Sequence, residues 1–283
     1  MDFLPITLKG FDGRENALAQ IKRYVHEITS TMFYRTNDLI HSRRVLWHLE
    51  ESIPDILSIY GDEFEVGFAR TLALVHDDIE ILTGDVQLYD KEHMGSDEHE
   101  KMAQRETSAI PRLVQMYNDG QIYSNYNQPP LYMKDATNMF DYLRPSVYQA
   151  IANGYDYSKL LTSAKTKSGL EAQFVSFFDK FDGGGEAWHE VWAGNKCFLR
   201  PAVNYVRRLN DFPSKYPAMT KFFEQFPEYL PKPFDFISVV EKSKPHTSES
   251  LKENSGYLPY ERWKKTIMKR EGIDLLITQV ESI

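Results

Sequence analysis

Apolar side chains recur at intervals of three and four residues between positions 64 and 82. The series comprises Phe64, Phe68, Leu72, Val75, Ile79 and Leu82. This spacing places them on one face of a helix, which predicts a continuous helix that packs on a core along this stripe. Polar groups lie beside the stripe: an adjacent His76-Asp77 pair, then Glu80, and Asp85 just beyond. Charged groups next to a buried stripe need a partner, and a metal cation supplies one.

The same periodicity predicts helices in the first third of the chain and around residues 99–117. The first of these helices begins near Glu15 and continues to about Ile28. The next begins at Asn37 or Asp38, since both residue types suit a helix N-cap. An irregular run at 118–130, rich in Asn, Gly, Tyr and Pro, predicts a loop outside the core.

An aromatic helix is predicted from about Leu170, with Phe174, Phe177, Phe178 and Phe181 as core residues, and the Gly183–Gly185 triplet is expected to end it. Helical periodicity returns over 186–209, with a break near Gly194-Asn195. Beyond residue 210 prolines separate short aromatic helical pieces. Because no alternating strand pattern and no glycine-rich phosphate loop occur, the sequence predicts an all-α fold.

The chain length of 283 residues suits one enlarged domain with an extension. We expect a main helical domain over 1–210, with a helical insertion at about 86–168, and a C-terminal helical extension over 211–283 that packs on the core. A net charge of −8 and a pI near 5.6 exclude a protein that grips duplex nucleic acid or an anionic membrane through a basic surface.

Cys197 is the only cysteine, which excludes an intrachain disulfide and a thiolate-rich zinc site. The N-terminus has no signal-like apolar run, and no stretch of 18 apolar residues occurs. These features predict a cytoplasmic protein with no membrane partner.

One helix cannot complete a coordination sphere, so further ligands are expected on other helices. His41 lies early in the preceding predicted helix, and Asp179 and Asp182 lie late in the aromatic one. His48 is seven residues after His41 and about 10.5 Å further along the helix, so only one of the two histidines can contact the ion. Asp179 and Asp182 are three residues apart, and both can face one point.

The order His, His-Asp, Asp resembles that of the HD phosphohydrolases. The segment His76–Asp85 is similar to the H-D-x-x-E-x-L-T-G-D segment of the YfbR-like 5'-nucleotidases and their eukaryotic HD-domain-containing relatives. Glu190–Asn195 is similar to the E-x-x-A-G-N segment that this family carries after its last metal aspartate. The matching pieces cover roughly 19–85 and 170–195.

The resemblance implies an HD-type helical core that holds one divalent transition metal ion, Mn, Co, Fe, Ni or Zn. The implied ligands are His41, His76, Asp77 and Asp179. In the family, the ion activates a water molecule, and Glu80 matches the glutamate that helps to deprotonate it.

Substrate contacts follow from the resemblance less directly. Asp85 matches the aspartate that contacts the sugar of the nucleotide. The family arginine that binds the phosphate has no direct counterpart, so Arg23, Arg35 and Lys180 stand as substitutes by their position in the sequence. The family also implies a homodimer.

The resemblance implies hydrolysis of a nucleoside 5'-monophosphate. Two alternatives stay open. A related HD-type hydrolase would act on nucleoside triphosphates or guanosine alarmones, and several cations around the phosphates would favour it. A non-catalytic, metal-bound nucleotide-sensing scaffold would have a metal without an open coordination position, or a pocket without arginine.

Overall fold

The structure is a computed structural model, and it describes residues 14–24, 36–86, 88–123, 155–231 and 257–271. Across these ranges the chain is helical and forms no strand, and the one extended pairing is an isolated antiparallel bridge between Lys22 and Asn37. The predicted all-α fold is therefore confirmed.

The α-helices of the described ranges are, in chain order, α1 (Arg14–Gln20), α2 (Asp38–Tyr60), α3 (Val66–Val75), α4 (Glu80–Thr83), α5 (Leu88–His93), α6 (Ser96–Tyr123), α7 (Tyr157–Thr166), α8 (Leu170–Trp192), α9 (Leu199–Lys215), α10 (Thr220–Gln225) and α11 (Tyr257–Glu271). Short 3₁₀ turns lie at Gly61–Glu63, Lys196–Phe198, Pro217–Met219 and Pro227–Tyr229. As predicted, α2 begins after Asn37, whose side chain accepts a hydrogen bond from the Ile40 amide.

Helix α8 forms the centre of the fold and packs against α2, α3, α9 and α11. Its aromatic side chains Phe174, Phe177, Phe178 and Phe181 are fully buried, as the sequence predicted for core residues. Aromatic rings of α9, α10 and the 3₁₀ turn Pro227–Tyr229 pack on this row, mostly edge to face. The residues beyond 210 thus extend the core formed by α8.

The Gly183–Gly185 triplet does not end α8, which continues to Trp192. The expected helix end was wrong because these glycines serve close packing inside the helix. A Cβ atom at Gly183 would overlap the Tyr205 ring of α9, and one at Gly185 would overlap the Trp263 ring of α11. The helix therefore accepts the low propensity of glycine so that two neighbouring helices can approach its backbone.

The predicted continuous helix over 64–82 is interrupted. Helix α3 ends at Val75, residues 76–79 form a turn, and α4 begins at Glu80. Through the turn, backbone amides bond three residues back, as in Glu80 N–H to the Asp77 carbonyl at 2.8 Å. The Ala73 carbonyl, which could accept a helical amide bond, instead lies 2.8 Å from Nδ1 of His76.

Two further helix boundaries differ from those predicted. Helix α1 ends at Gln20, because the chain passes through a left-handed conformation at Tyr24 (φ 56°) and bonds across the Lys22–Asn37 bridge. Helix α6 continues to Tyr123, so residues 118–123 of the predicted loop are helical, and residues 124–130 lie outside the described ranges.

The predicted domain division stays a prediction. The predicted insertion at about 86–168 contains α5, α6 and α7. Helix α9 continues across the expected domain boundary at 210. In the part of the chain that the structure describes, no helix is both long and apolar enough to span a membrane.

Candidate metal centre

Three elements bring imidazole and carboxylate groups together. Helix α2 carries His41 and the turn after α3 carries His76 and Asp77, while the middle of α8 carries Asp179. His41 is fully buried, and the His41 and His76 ring centroids lie 5.5 Å apart. The four predicted ligands therefore meet in one place.

The distances at this meeting point are those of groups that surround one ion. Nε2 of His41 lies 3.3 Å from Oδ1 of Asp179 and 3.6 Å from Oδ2 of Asp77. That Asp77 oxygen is 3.2 Å from Nε2 of His76. Two donors that each lie about 2.1 Å from one ion, at tetrahedral or octahedral angles, are roughly 3.0–3.4 Å apart. The residues present therefore fit a divalent metal ion.

The protonation of His76 supports the same conclusion. Its Nδ1 faces the Ala73 carbonyl at 2.8 Å, so Nδ1 carries the proton and Nε2 keeps a lone pair. Nε2 is buried and has no hydrogen-bond partner among the described residues. Burial also lowers the pKa of His76, which keeps the ring neutral. A buried imidazole lone pair that faces carboxylates is suited to bind a metal.

The surroundings of His41 also favour a cation. Burial and Arg23 lower the pKa of His41, but hydrogen bonds with Asp179 and Asp182 outweigh them and raise it to about 10. Burial raises the pKa of Asp179, yet Lys180 and His41 hold it well below its ordinary value. The surroundings of Nε2 of His41 therefore favour a positive charge at this atom, and either a proton or a metal ion can supply it.

Asp182 orients His41 from the opposite side. Its Oδ2 lies 2.8 Å from Nδ1 of His41, and its Oδ1 accepts the indole N–H of Trp263 at 2.7 Å. His48 also faces Asp182, at 3.2 Å. Of the two candidate aspartates, Asp179 thus lies on the Nε2 side of His41 and Asp182 on the Nδ1 side. A carboxylate behind a ligating imidazole fixes its tautomer and ring orientation.

Glu80 and Asp85 line a cavity of about 310 Å³ that also reaches His76, Asp77 and Asp179. Burial, together with the carboxylates of Asp77 and Asp85, raises the pKa of Glu80 well above its ordinary value. The cavity is within the size range of small-molecule sites. It therefore places a carboxyl group suited to proton transfer beside the candidate ligands.

Two of the three predicted phosphate-binding residues, Arg23 and Lys180, line the cavity. Arg23 lines the cavity, but its Nε lies 3.1 Å from Glu186. Lys180 also lines it and binds Asp179 at 2.6 Å, so it braces a candidate ligand. Arg35 lies outside the described residues.

Lys167 and Arg200 also line the cavity and were not identified from the sequence. Lys167 follows α7 in a left-handed conformation (φ 56°), and its Nζ donates to the Ala164 carbonyl. Burial lowers the pKa of Lys167 to about 8. No local motif marks either residue, since Lys167 follows α7, Arg200 lies on α9, and only the fold brings both to the cavity.

No protein-family model, curated protein or solved structure matches this chain. The interpretation of the site therefore depends on its own geometry.

Proposed function

We propose that the protein is an HD-type, metal-dependent phosphohydrolase that removes phosphate from a nucleoside 5'-monophosphate. The observation that carries this proposal is the convergence of His41, His76, Asp77 and Asp179 from three separate elements at ligand distances. One divalent ion, Mn, Co, Fe, Ni or Zn, suits this mixture of imidazole and carboxylate donors.

When bound, the ion would act as a Lewis acid, lower the pKa of a water molecule to about 7 and offset charge on the phosphate. Glu80, whose pKa is raised, is the group that exchanges a proton with the attacking water. Asp182 holds the His41 ring through Nδ1 and leaves Nε2 directed at the Asp179 and Asp77 oxygens.

The cavity supports a phosphorylated small molecule as substrate. Cationic side chains line it beside the candidate ligands, and Lys167 and Lys180 come from different elements. Asp85 lies at the same cavity and would accept a hydrogen bond from a sugar hydroxyl. The predicted homodimer and cytoplasmic location stay predictions.

A second candidate substrate class is favoured by one observation. The cavity lining includes the six cationic residues Arg23, Lys91, Lys165, Lys167, Lys180 and Arg200. Carboxylates already pair with several of them, as Glu106 does with Lys165 at 3.0 Å. If substrate phosphates displace these partners, the cavity would suit a nucleoside triphosphate or an alarmone.

The test is phosphate release from a panel of nucleoside mono-, di- and triphosphates, with each of the candidate metals added to metal-free protein. Asp77→Asn serves as the ligand variant, and Asp62→Asn, at an exposed turn position, as its matched control. We expect release from monophosphates that Asp77→Asn loses and Asp62→Asn keeps. Release from triphosphates alone would favour the second candidate. Nucleotide binding without release under any metal would favour the sensing scaffold.

A further inference from the structure

A second cluster of acidic groups lies beside the candidate metal centre. Asp38, Glu80 and Asp85 each offer a carboxylate oxygen, and these oxygens lie within 4.8 Å of one another. Asp38 comes from the first turn of α2, Glu80 begins α4, and Asp85 follows Gly84, whose φ of 76° ends α4. Carboxylates from the start of α2, the start of α4 and the segment after α4 therefore lie close together.

Asp38 is the unusual member of this cluster. It is fully buried, and neither of its carboxylate oxygens has a hydrogen-bond partner within the described ranges. Nη1 of Arg23 lies 3.9 Å from Oδ1 of Asp38, and Arg23 also pairs with Glu186 at 3.1 Å. A buried, ionised carboxylate without hydrogen bonds is costly, and a bound cation would offset that cost.

Two other fully buried aspartates show how this fold satisfies such groups. Asp78 accepts hydrogen bonds from Arg14 at 2.7 and 2.6 Å and from the Tyr157 hydroxyl at 2.6 Å. Asp182 faces two histidines and accepts the indole N–H of Trp263. Asp38 instead faces two further carboxylates.

Glu80 adds a further acidic group to the cluster, with one cationic side chain nearby. Nζ of Lys91 lies 4.0 Å from Oε1 of Glu80. The cluster therefore combines three acidic groups with two cationic side chains at 3.9 and 4.0 Å, and one of these, Arg23, is shared with Glu186. A divalent cation would neutralise most of this charge at a single point.

The spacing along the chain ties the acidic cluster to the histidine centre. Asp38 lies three residues before His41 on α2, and Asp77 lies three residues before Glu80 across the 3₁₀-like turn. Residues three apart on a helix share a face and differ by about 4.5 Å along the axis. Two-metal sites in phosphate-processing enzymes have ions about 3.5–4 Å apart. The two clusters are therefore neighbours both on α2 and across the turn after α3.

We propose that Asp38, Glu80 and Asp85 bind a second divalent cation, of the hard, oxygen-preferring class represented by Mg²⁺ and Mn²⁺. The donor set is all carboxylate, whereas the neighbouring centre includes two imidazoles, so the two sites differ in metal preference. Mg²⁺ commonly keeps several water ligands, binds few protein carboxylates and coordinates oxygens of substrate phosphates. Glu80 and Asp85 also have roles in the proposed phosphohydrolase. A carboxylate that binds a cation through one oxygen keeps the other for a proton or a hydrogen bond, and metal binding is measurable without turnover.

The test is a Mn²⁺ titration of the full chain after metal removal. Electron paramagnetic resonance detects free Mn²⁺, so the loss of its signal gives the number of ions bound per chain. Mn²⁺ suits both donor sets, so we expect two ions per chain in the native protein. Asp38→Asn and Asp85→Asn should each bind one, and His76→Ala should also bind one. Asp62→Asn, which removes the same charge at an exposed turn near the other end of α2, should bind two.

Thermal unfolding provides a second measurement, which also shows whether the variants fold. Asp38→Asn removes a buried charge without hydrogen bonds, so in metal-free buffer it should unfold at the native temperature or above it. Saturating Mg²⁺ should raise the midpoint of the native protein by roughly 5 °C and leave Asp38→Asn unchanged. A metal-free Asp38→Asn protein of reduced stability would contradict the account of Asp38.

One Mn²⁺ per chain in the native protein, with no change in Asp38→Asn and Asp85→Asn, would overturn the second site. This outcome is distinct from failure of the proposed function. Two bound ions without phosphate release would keep the second site and reject the hydrolase. One bound ion with phosphate release would keep the hydrolase and reject the second site.

Discussion

Trp263 of α11 donates its indole N–H to Oδ1 of Asp182 at 2.7 Å, and the other oxygen of Asp182 lies 2.8 Å from Nδ1 of His41. The C-terminal helix thus contacts the carboxylate that orients a candidate metal ligand. Because Trp263 is fully buried against the backbone of α8 at Gly185, its position is fixed by close packing. The extension beyond residue 210 therefore contributes to the site and does not merely cover the core.

Replacing Trp263 with phenylalanine should weaken both folding and metal binding. The change removes a hydrogen bond to a charged group, which contributes about 1.5–3 kcal/mol to stability. Loss of a direct partner of a metal ligand commonly costs about 10- to 100-fold in metal affinity, and because Trp263 acts through Asp182 we expect a loss near the lower end, about tenfold. Urea unfolding and metal titration measure the two effects.

Trp188→Phe is the matched control for this prediction. Trp188 is also fully buried on α8, but its indole N–H has no hydrogen-bond partner among the described residues. Its replacement should change packing alone and leave metal affinity near the native value. Equal losses of affinity in the two variants would show that Trp263 acts through packing only.

The sequence predicted the parts of this arrangement that have a local pattern. The N-cap at Asn37 and the burial of the α8 phenylalanines follow from residue type and periodicity, and both are confirmed. The convergence of His41 with the His76-Asp77 pair was expected from the resemblance, and the structure brings these side chains together.

The remaining features depend on contacts between distant parts of the chain. The Gly183–Gly185 triplet was interpreted as a helix end, because only the positions of α9 and α11 show why α8 needs glycine there. The role of Trp263 and the isolation of Asp38 were not predicted for the same reason. Periodicity describes one helix face and gives no information about which other helix covers it.

Replacing Gly185 with alanine should destabilise the protein, since the added methyl group overlaps the Trp263 ring. Overpacking of a core commonly costs about 1–3 kcal/mol, and the offset by better helix propensity is smaller. Chemical unfolding measures the change. Gly95→Ala is the control, because a Cβ there meets open space, and it should alter stability little. A Gly185→Ala protein as stable as the native one would mean that α11 is not closely packed on α8.

Replacing Glu80 with glutamine should preserve metal at the histidine centre and reduce turnover. The isosteric amide cannot exchange the proton, and such help is typically worth about 10²–10⁴ in rate. Phosphate release under saturating substrate and Co²⁺ content by elemental analysis measure the two quantities. Undiminished turnover at full Co²⁺ occupancy would remove Glu80 from the reaction.

Replacing Lys167 with methionine should weaken substrate binding in a pH-dependent way. Burial lowers the pKa of Lys167 to about 8, so its ammonium is present below that pH and is lost as the pH rises through it. We expect KM for a phosphomonoester to rise roughly tenfold to hundredfold at pH 7 in the variant. The difference from the native protein should shrink above pH 8.

Lys101→Met, at an exposed position on α6, controls for the loss of a positive charge. Its KM should follow that of the native protein across the pH range. A constant ratio of KM between Lys167→Met and native protein from pH 6 to 9 would contradict a direct contact between Lys167 and phosphate.

The central claim is that His41, His76, Asp77 and Asp179 hold one divalent ion, and the most direct measurement is anomalous X-ray diffraction from crystals of the protein loaded with Co²⁺. The account predicts one strong anomalous peak about 2.0–2.2 Å from Nε2 of both histidines and from an oxygen of each aspartate. A loaded crystal without a peak at this position, or with His41 Nε2 still bonded to Asp179, would contradict it.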